Sequence, residues 1–270
     1  MMTAYDKLKF VRAGAHPTGG DYLNALITDR VDLGGDRKFG EDKAIISGIG
    51  KLGKISVAYA VIDKGHTLEE KMEKNFGCPK PEGYRKALRI FKMAEKFHLP
   101  VLCIVDTLGA YCGSDGEERG QGEAIATNLA EMMALKTPII TIITGEGGSG
   151  GALALAVADR VYMTENAVFS VITPDGCASI LWKDSSRMAE AVECLKVTSS
   201  DMLNFGVCEK VFPEDDSLEE RCRKISESLT EEFTSLKKLS NNQLLDNRYA
   251  RFRKFGSYEE KGKFVILGHK

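Results

Sequence analysis

The fold of this chain is decided by VLCIVDT at residues 101–107 and by PIITIITGEGGSGG at residues 138–151. Each stretch begins with a continuous apolar run, which is typical of a strand buried on both faces. A glycine-rich turn is expected after each run, at 108–116 and at 145–151, and a helical pattern follows it. The repetition of strand, turn and helix predicts an α/β fold with a largely parallel sheet. Both turns should then lie at the same end of the sheet.

Further elements are predicted on either side of these two strands. Residues 44–50 and 55–62 alternate or run apolar around Leu52-Gly53-Lys54, which predicts a β-hairpin. Residues 82–98 carry an apolar stripe at helical spacing and end before Pro100, which predicts a helix. The remaining expectations are a helix at about 117–136, strands at 160–165 and 167–173, mainly helices after 174, a charged stripe at 216–238 and a last helix near 240–254.

The composition excludes several classes of protein. Lys and Arg total 37 against 39 Asp and Glu, a net charge of −2, which argues against nucleic acid or an anionic membrane as the main partner. The apolar runs are too short to span a bilayer, and the N-terminus has no signal-peptide pattern, so a cytoplasmic protein is expected. The seven cysteines form no CxxC pair, so no zinc or redox motif is indicated and free thiols are expected.

The sharpest local feature is the segment GEGGSGG at 145–151, which has five glycines in seven positions. Such a segment between a strand and a helix exposes backbone N–H groups where the helix dipole is positive. It can therefore bind an anion or stabilise a developing oxyanion. By itself it fits three chemistries, and a tight structural turn is the simplest alternative.

Dinucleotide binding is one of the three, because Gly145, Gly147 and Gly150 match G-x-G-x-x-G, with Glu165 after them. A serine nucleophile at Ser149 is the second, because residues 147–151 match G-x-S-x-G. In the usual chain order of such hydrolases the general base would have to be His269. The third is an oxyanion hole made of peptide amides, with no nucleophile.

Several longer blocks together resemble one known family, the α subunit of the bacterial acetyl-CoA carboxylase carboxyltransferase. The similarity extends over about residues 20–256. Its blocks are GDRKFGEDKAI (35–45), NFG (75–77), PEGYRKALR (81–89), DTLGAYCG (106–113), EERGQGEAIA (117–126), GEGGSGGALAL (145–155), CASILWKD (177–184) and NRYARFRKFG (247–256).

The resemblance implies a crotonase-like fold, a superhelix of ββα units with C-terminal helices, and one domain over residues 1–256. Residues 257–270 form a tail of unknown role. The implied reaction moves a carboxyl group from carboxybiotin to acetyl-CoA and gives malonyl-CoA for fatty-acid synthesis. The biotin is attached to a carrier protein and not to this chain, which holds no metal. The implied partners are a β subunit with a zinc ribbon in an α2β2 complex, the biotin carboxyl carrier protein and biotin carboxylase.

By the same resemblance, Gly150 and Gly151 supply the amides that stabilise the biotin oxyanion. Five neighbouring residues are implied in biotin binding: Gly147, Gly148, Ser149, Gly109 and Ala110. The family usually has proline where this chain has Leu108 and Cys112. This departure leaves a carboxyltransferase for another acyl-CoA open, beside a serine hydrolase of related fold that uses Ser149. Cys112 is expected near the biotin pocket, and the C-terminal helices are expected to contact the β subunit.

Overall fold

A computed structural model of the chain describes residues 2–256, together with the backbone of residues 258–260 and 263–265. The role of the 257–270 tail therefore lies outside the described residues. The strands of the described part are β1 (Thr28–Asp32), β2 (Ile45–Leu52), β3 (Ile55–Ile62), β4 (Val101–Thr107), β5 (Ile139–Gly148), β6 (Arg160–Thr164), β7 (Val168–Ser170), β8 (Lys210–Phe212), β9 (Tyr258–Glu260) and β10 (Lys263–Val265).

The helices follow the same order along the chain. They are α1 (Ala4–Arg12), α2 (Gly19–Leu26), α3 (Leu68–Glu73), α4 (Pro81–Lys96), α5 (Ser114–Glu118), α6 (Gln121–Ala134), α7 (Ser149–Leu153), α8 (Pro174–Trp182), α9 (Met188–Leu195), α10 (Ser199–Asn204), α11 (Leu218–Leu236) and α12 (Asn241–Arg253).

One sheet contains strands β1 to β8. Its order is β1-β2-β3-β4-β5-β6-β8, and β7 pairs with the carboxyl end of β5. The first three strands are antiparallel neighbours, and each later pairing in this sheet is parallel. The predicted hairpin, the two buried strands and the largely parallel sheet are thus confirmed. Val101 is opposite Ile139 and Thr107 is opposite Gly147, so the segments that follow β4 and β5 do lie at the same end.

Helices cover both faces of the sheet, which explains why its central strands are apolar throughout. Every residue of β4 is buried. Cys103 packs in the cluster that contains Phe91 of α4, whereas its neighbour Leu102 packs with Tyr22 of α2 and Phe233 of α11. Successive side chains of a strand point to opposite faces, so a strand between two helical layers needs no polar positions.

Two predicted elements differ from the structure. The helix expected at 117–136 is divided at Gly120, whose φ of +85° is left-handed and separates α5 from α6. The strand expected at 138–144 runs on to Gly148, because Thr107 and β7 pair with its glycine-rich end. The prediction of a turn over all of 145–151 is therefore wrong: the chain bends only at Ser149, and α7 is a single short turn.

Candidate functional site

The glycine-rich end of β5 meets the loop after β4 in direct backbone contact. A Cβ atom added to Gly148 would overlap the carbonyl oxygen of Leu108 and lie 2.7 Å from the nitrogen of Gly109. One added to Gly151 would lie 2.6 Å from the carbonyl carbon of Gly109 and closer still to the nitrogen of Ala110. Backbone atoms this close leave no room for a side chain, so both positions require glycine. The structure thus brings the two predicted segments together.

Ser149 is the first residue of α7 and directly follows the last residue of β5. Its φ is +42°, a left-handed value that non-glycine residues rarely adopt and that costs on the order of 1–3 kcal/mol. Gly150 and Gly151 follow as the next residues of α7. The first N–H groups of a helix have no carbonyl partner within that helix. Two such amides on adjacent residues are the kind of donor that stabilises an oxyanion.

A largely apolar cavity of about 290 Å³ opens beside Gly150. Ser149 and Gly150 form its polar end. Its other lining residues are Leu153, Phe169, Ser170, Val171, Met202 and Val207. A cavity with a mostly apolar wall and a few backbone donors is typical of a small-molecule site.

A second cavity of about 430 Å³ borders the same loop. Ala110, Tyr111 and Cys112 line it on the loop side. Its other lining residues are Met72, Asn75, Phe76 and Cys78. The structure therefore places Cys112 on this second cavity, and its position relative to biotin stays a prediction.

Charged side chains hold the end of β5 from the side of α1. Arg12 donates to both carboxylate oxygens of Glu146, at 3.0 Å from Nε and 2.8 Å from Nη2. The Glu146 amide donates to Asp106 Oδ1 at 3.0 Å, and Lys64 Nζ lies 3.0 Å from Asp106 Oδ2. Lys64 also donates to the carbonyl of Val11 at 2.9 Å. The sequence patterns did not predict this network, because Arg12 and Glu146 are far apart along the chain.

The structure gives no support to the hydrolase and dinucleotide alternatives. His16 lies 3.5 Å from Glu214, and His66 lies 2.7 Å from Asp21. His98 precedes β4 and so lies at the opposite end of the strands. Within residues 2–256 none of these is paired with Ser149, and His269 lies outside the described residues. The G-x-G-x-x-G match is mostly strand, so it does not form the turn that a dinucleotide site needs.

Two further features are absent from the described residues. Among residues 2–256 no group of three or more His, Cys, Asp and Glu side chains is placed to hold a metal ion. In the same part of the chain, no helix combines the length and apolar character needed to cross a membrane.

Comparison with known proteins identifies the family. A family model described as acetyl co-enzyme A carboxylase carboxyltransferase-like matches residues 1–256. The chain belongs to this family. Acetyl-coenzyme A carboxylase carboxyl transferase subunit alpha from Ruminiclostridium cellulolyticum is 48% identical over 260 residues, which is 94% of this chain and 98% of that protein.

Two further relatives of the carboxyltransferase family support the same assignment. The alpha subunit from Streptococcus thermophilus is 51% identical over 249 residues, or 92% of this chain and 97% of that protein. A protein named subunits beta/alpha from Clostridium tetani is 45% identical over 265 residues, which is 96% of this chain and 46% of that protein. The chain is therefore a carboxyltransferase subunit of the α type.

Solved structures establish the fold of this carboxyltransferase. The 12S transcarboxylase with methylmalonyl-coenzyme A bound has a TM-score of 0.67 at 19% identity, covering 83% of this chain and 42% of that one. A Pseudomonas malonate decarboxylase hetero-tetramer in complex with coenzyme A has a TM-score of 0.68 at 15% identity, covering 85% and 91%. The fold is crotonase-like, as the resemblance implied.

Ion pairs tie the family blocks of this carboxyltransferase to one another. The buried carboxylate of Glu82 accepts hydrogen bonds from Arg85 at 2.9 Å and from Arg119 at 2.8 Å. Arg85 also donates to Asp36 at 2.8 Å and to the carbonyl of Arg119 at 3.0 Å. Helix α4 is thereby joined to Arg119, which follows α5 at the far end of the segment after β4.

The Asp36 carboxyl group of this network should make the free energy of unfolding depend on pH in the acidic range. Burial alone would raise its pKa, but the N–H groups of Lys38 and Phe39 and the Arg85 guanidinium bring it down to about 2, from an ordinary 3.8. A carboxyl group whose pKa is lower in the folded state than in the unfolded state stabilises the fold at pH values above its unfolded-state pKa. That stabilisation is lost as the pH falls through its folded-state pKa.

We therefore expect Asp36→Asn to lower the free energy of unfolding at pH 7 by about 2 kcal/mol. Between about pH 4 and pH 2 the difference from the wild-type chain should shrink, because protonation removes the same charge there. Urea unfolding at a series of pH values measures both effects. A constant difference across that range would contradict the assignment.

Proposed function

We propose that this chain is the α half of a cytoplasmic acetyl-CoA carboxyltransferase. It moves a carboxyl group from carboxybiotin on a carrier protein to acetyl-CoA and gives malonyl-CoA for fatty-acid synthesis. The main support is the pair of amides at Gly150 and Gly151 at the start of α7, in a chain of this family, with Gly150 lining an apolar cavity.

The residues present fit a biotin group. When bound, carboxybiotin supplies the carboxyl group and leaves negative charge on its ureido oxygen. The amides of Gly150 and Gly151 donate to that oxygen, and their fixed positions require no reorganisation as the charge develops. The cavity wall, which includes Leu153 and Phe169, would accommodate the apolar part of the biotin ring.

The neighbouring glycines shape this site and do not react. Gly148 and Gly151 allow the loop after β4 to approach, and Gly109 and Ala110 of that loop are proposed to take part in binding biotin from there. Gly147 and Ser149 complete the segment from which the two amides project. This division of roles explains how the site can work without a histidine or a serine nucleophile from this chain.

A β subunit is proposed to cover the open side of the site. Val171, which lines the cavity, is 77% exposed, and Ile180 and Leu181 of α8 are 71% and 61% exposed. Large apolar side chains exposed together are typical of an interaction surface. The relative from Clostridium tetani is named for both subunits in one chain, which supports close association of the two.

The complete enzyme is proposed to be an α2β2 complex that works with the biotin carboxyl carrier protein and biotin carboxylase. The β subunit carries the zinc ribbon and the second oxyanion hole, which serves the thioester of acetyl-CoA. Residues 1–256 act in it as one domain, the range that the family model matches.

Reconstitution tests this function. We expect the purified chain alone to form no malonyl-CoA above background, and a mixture with the β subunit and carboxylated carrier protein to form it readily. Ile180→Asp should reduce assembly, because a charge would be buried without a partner. Ser200→Asp, at an exposed position of α10, is the control for the added charge.

Robust malonyl-CoA formation by the chain alone would refute the subunit assignment. Faster carboxylation of propionyl-CoA than of acetyl-CoA by the complex would refute the acetyl specificity and leave the carboxyltransferase assignment intact.

A further inference from the structure

Two free cysteines lie on the cavity of about 430 Å³ that borders the loop after β4. Cys112 belongs to that loop and is exposed, and Cys78 is partly buried. Cys78 follows the short turn Asn75–Gly77. The two cysteines are therefore distant in sequence and line the same space, with nothing in the proposed carboxyl transfer that uses either thiol.

Backbone hydrogen bonds hold the two cysteine-bearing segments together. The amide of Tyr111 donates to the carbonyl of Pro79 at 3.0 Å. The side chain of Gln121 donates to the same Pro79 carbonyl at 2.8 Å and to the carbonyl of Tyr111 at 2.9 Å. Each cysteine is thus the immediate neighbour of a residue in this bonded pair.

This arrangement brings the two cysteines near each other. They flank the two residues that the Tyr111–Pro79 hydrogen bond joins, and they line the same cavity. A disulfide requires Cα atoms about 4.4–6.8 Å apart. The cavity between the segments leaves room for the sulfur atoms to turn toward each other. The two thiols also interact electrostatically. Burial is the main cause that raises the pKa of Cys78 to about 11, and the negative charge of a Cys112 thiolate is the second.

We propose that Cys78 and Cys112 are an oxidisable thiol pair, a modification site that a peroxide closes into a disulfide across the loop that carries Gly109 and Ala110. The exposed Cys112 thiolate attacks a peroxide oxygen, so that an S–O bond forms and the O–O bond breaks. The hydroxide that leaves takes up a proton as water. The Cys78 sulfur then attacks the Cys112 sulfenic acid, the S–S bond forms, and the second water leaves with the Cys78 proton.

The exposure of the two thiols sets the order of these steps. Cys112 meets the oxidant first because it is exposed, whereas the raised pKa keeps Cys78 protonated and unreactive toward peroxide. Conversion of Cys112 to the neutral sulfenic acid removes a negative charge that adds to the effect of burial on the Cys78 pKa. Cys78 is then the resolving thiol.

Closure of the disulfide would also change the backbone geometry next to Gly151 in the candidate site. The backbone of Gly109 and Ala110 lies against Gly151, and only Tyr111 separates these two residues from Cys112. Pulling the loop toward Cys78 therefore disturbs the contact that fixes the Gly151 amide. This consequence rests on the proposed function, whereas formation of the disulfide does not.

Peptide mapping of the intact chain tests the pair. After treatment with hydrogen peroxide and alkylation of the remaining thiols, we expect a cross-linked peptide that joins Cys78 to Cys112 and disappears on reduction with dithiothreitol. Cys112→Ser and Cys78→Ser should each abolish it. Cys194→Ser, which removes an exposed cysteine on α9, should leave it unchanged.

Peroxide treatment that leaves Cys78 alkylatable while Cys112 is oxidised to sulfinic acid, or joins Cys112 to another cysteine, would overturn the proposal. In the assembled complex, disulfide closure should lower turnover on the order of 10- to 100-fold, reversibly with dithiothreitol. A quantitative cross-link with unchanged turnover would overturn the effect on the site. A cross-link in an assembled complex that shows no carboxyl transfer before oxidation would leave the pair intact and refute the proposed function.

Discussion

Replacing Gly151 with alanine is expected to lower the turnover of the assembled carboxyltransferase on the order of 10²–10³-fold, the usual cost of losing one oxyanion donor. The added methyl group would lie 2.6 Å from the carbonyl carbon of Gly109 and closer to the nitrogen of Ala110. Both atoms belong to the backbone, so relief requires either the loop or the start of α7 to move. Either movement would turn the amide away from the oxygen that it is proposed to stabilise.

The adjacent glycine offers a matched control. A Cβ atom at Gly150 would have Ile125 Cγ2, at 3.7 Å, as its nearest neighbour, which is an ordinary contact. Gly150→Ala therefore makes the same chemical change without a backbone collision, and its turnover should fall far less. Ser149→Ala removes only a hydroxyl and should also retain most of the turnover, whereas a serine nucleophile would make it inactive.

Steady-state kinetics of the complexes measure these differences, after gel filtration has established that each variant assembles. The loss for Gly151→Ala should appear in kcat, because the amides act on charge that develops during the reaction. An assembled Gly151→Ala complex with nearly normal kcat would remove this segment from the mechanism.

The sequence could predict the centre of the fold because its signals there are local. Continuous apolar runs identify β4 and β5, and the alternating pattern around Gly53 identifies the β2–β3 hairpin. The glycines of 145–151 identify the site for the same reason, since close backbone approach excludes every other residue at Gly148 and Gly151. The sequence pattern ends β5 too early because glycine weakens a strand pattern, and only the pairing with β7 reveals the extension.

Long-range pairs could not be predicted in this way. Arg12 and Glu146 each look like a solvent-exposed charge in their own segment, and only the packing of α1 near the end of β5 joins them. For a related reason, the sequence pattern does not predict the short strand β8. Its three residues carry no pattern of their own, and they are a strand because β6 lies beside them.

Arg248 is the strongest case of a long-range pair and gives the second large prediction. This side chain of α12 is buried and bidentate to Asp159, at 2.8 Å from Nε and 2.7 Å from Nη2. It also donates to the carbonyls of Met132 and Leu135 at 2.7 Å each and to that of Thr137 at 3.0 Å. One guanidinium thus joins α12 to the end of α6 and to the residue that precedes β6.

Arg248→Met is expected to lower the free energy of unfolding by about 3–5 kcal/mol. Methionine retains much of the apolar volume, so the loss arises from charge and hydrogen bonding. The Asp159 carboxylate would remain buried without its partner, and three carbonyl oxygens would lose their donor. Urea unfolding followed by circular dichroism measures the change. Arg253→Met, at an exposed position of the same helix, should change stability by less than about 0.5 kcal/mol.

A double variant separates the charge from the packing. If the uncompensated Asp159 carboxylate causes most of the loss, Arg248→Met combined with Asp159→Asn should be much less destabilised than the sum of the two single changes. The asparagine side chain still accepts a hydrogen bond from the amide of Ile139, which Asp159 Oδ2 accepts at 2.8 Å in the wild-type chain. Additive losses would instead mean that the carbonyl contacts of Arg248 dominate, and that the guanidinium stabilises the fold chiefly as a hydrogen-bond donor to the backbone.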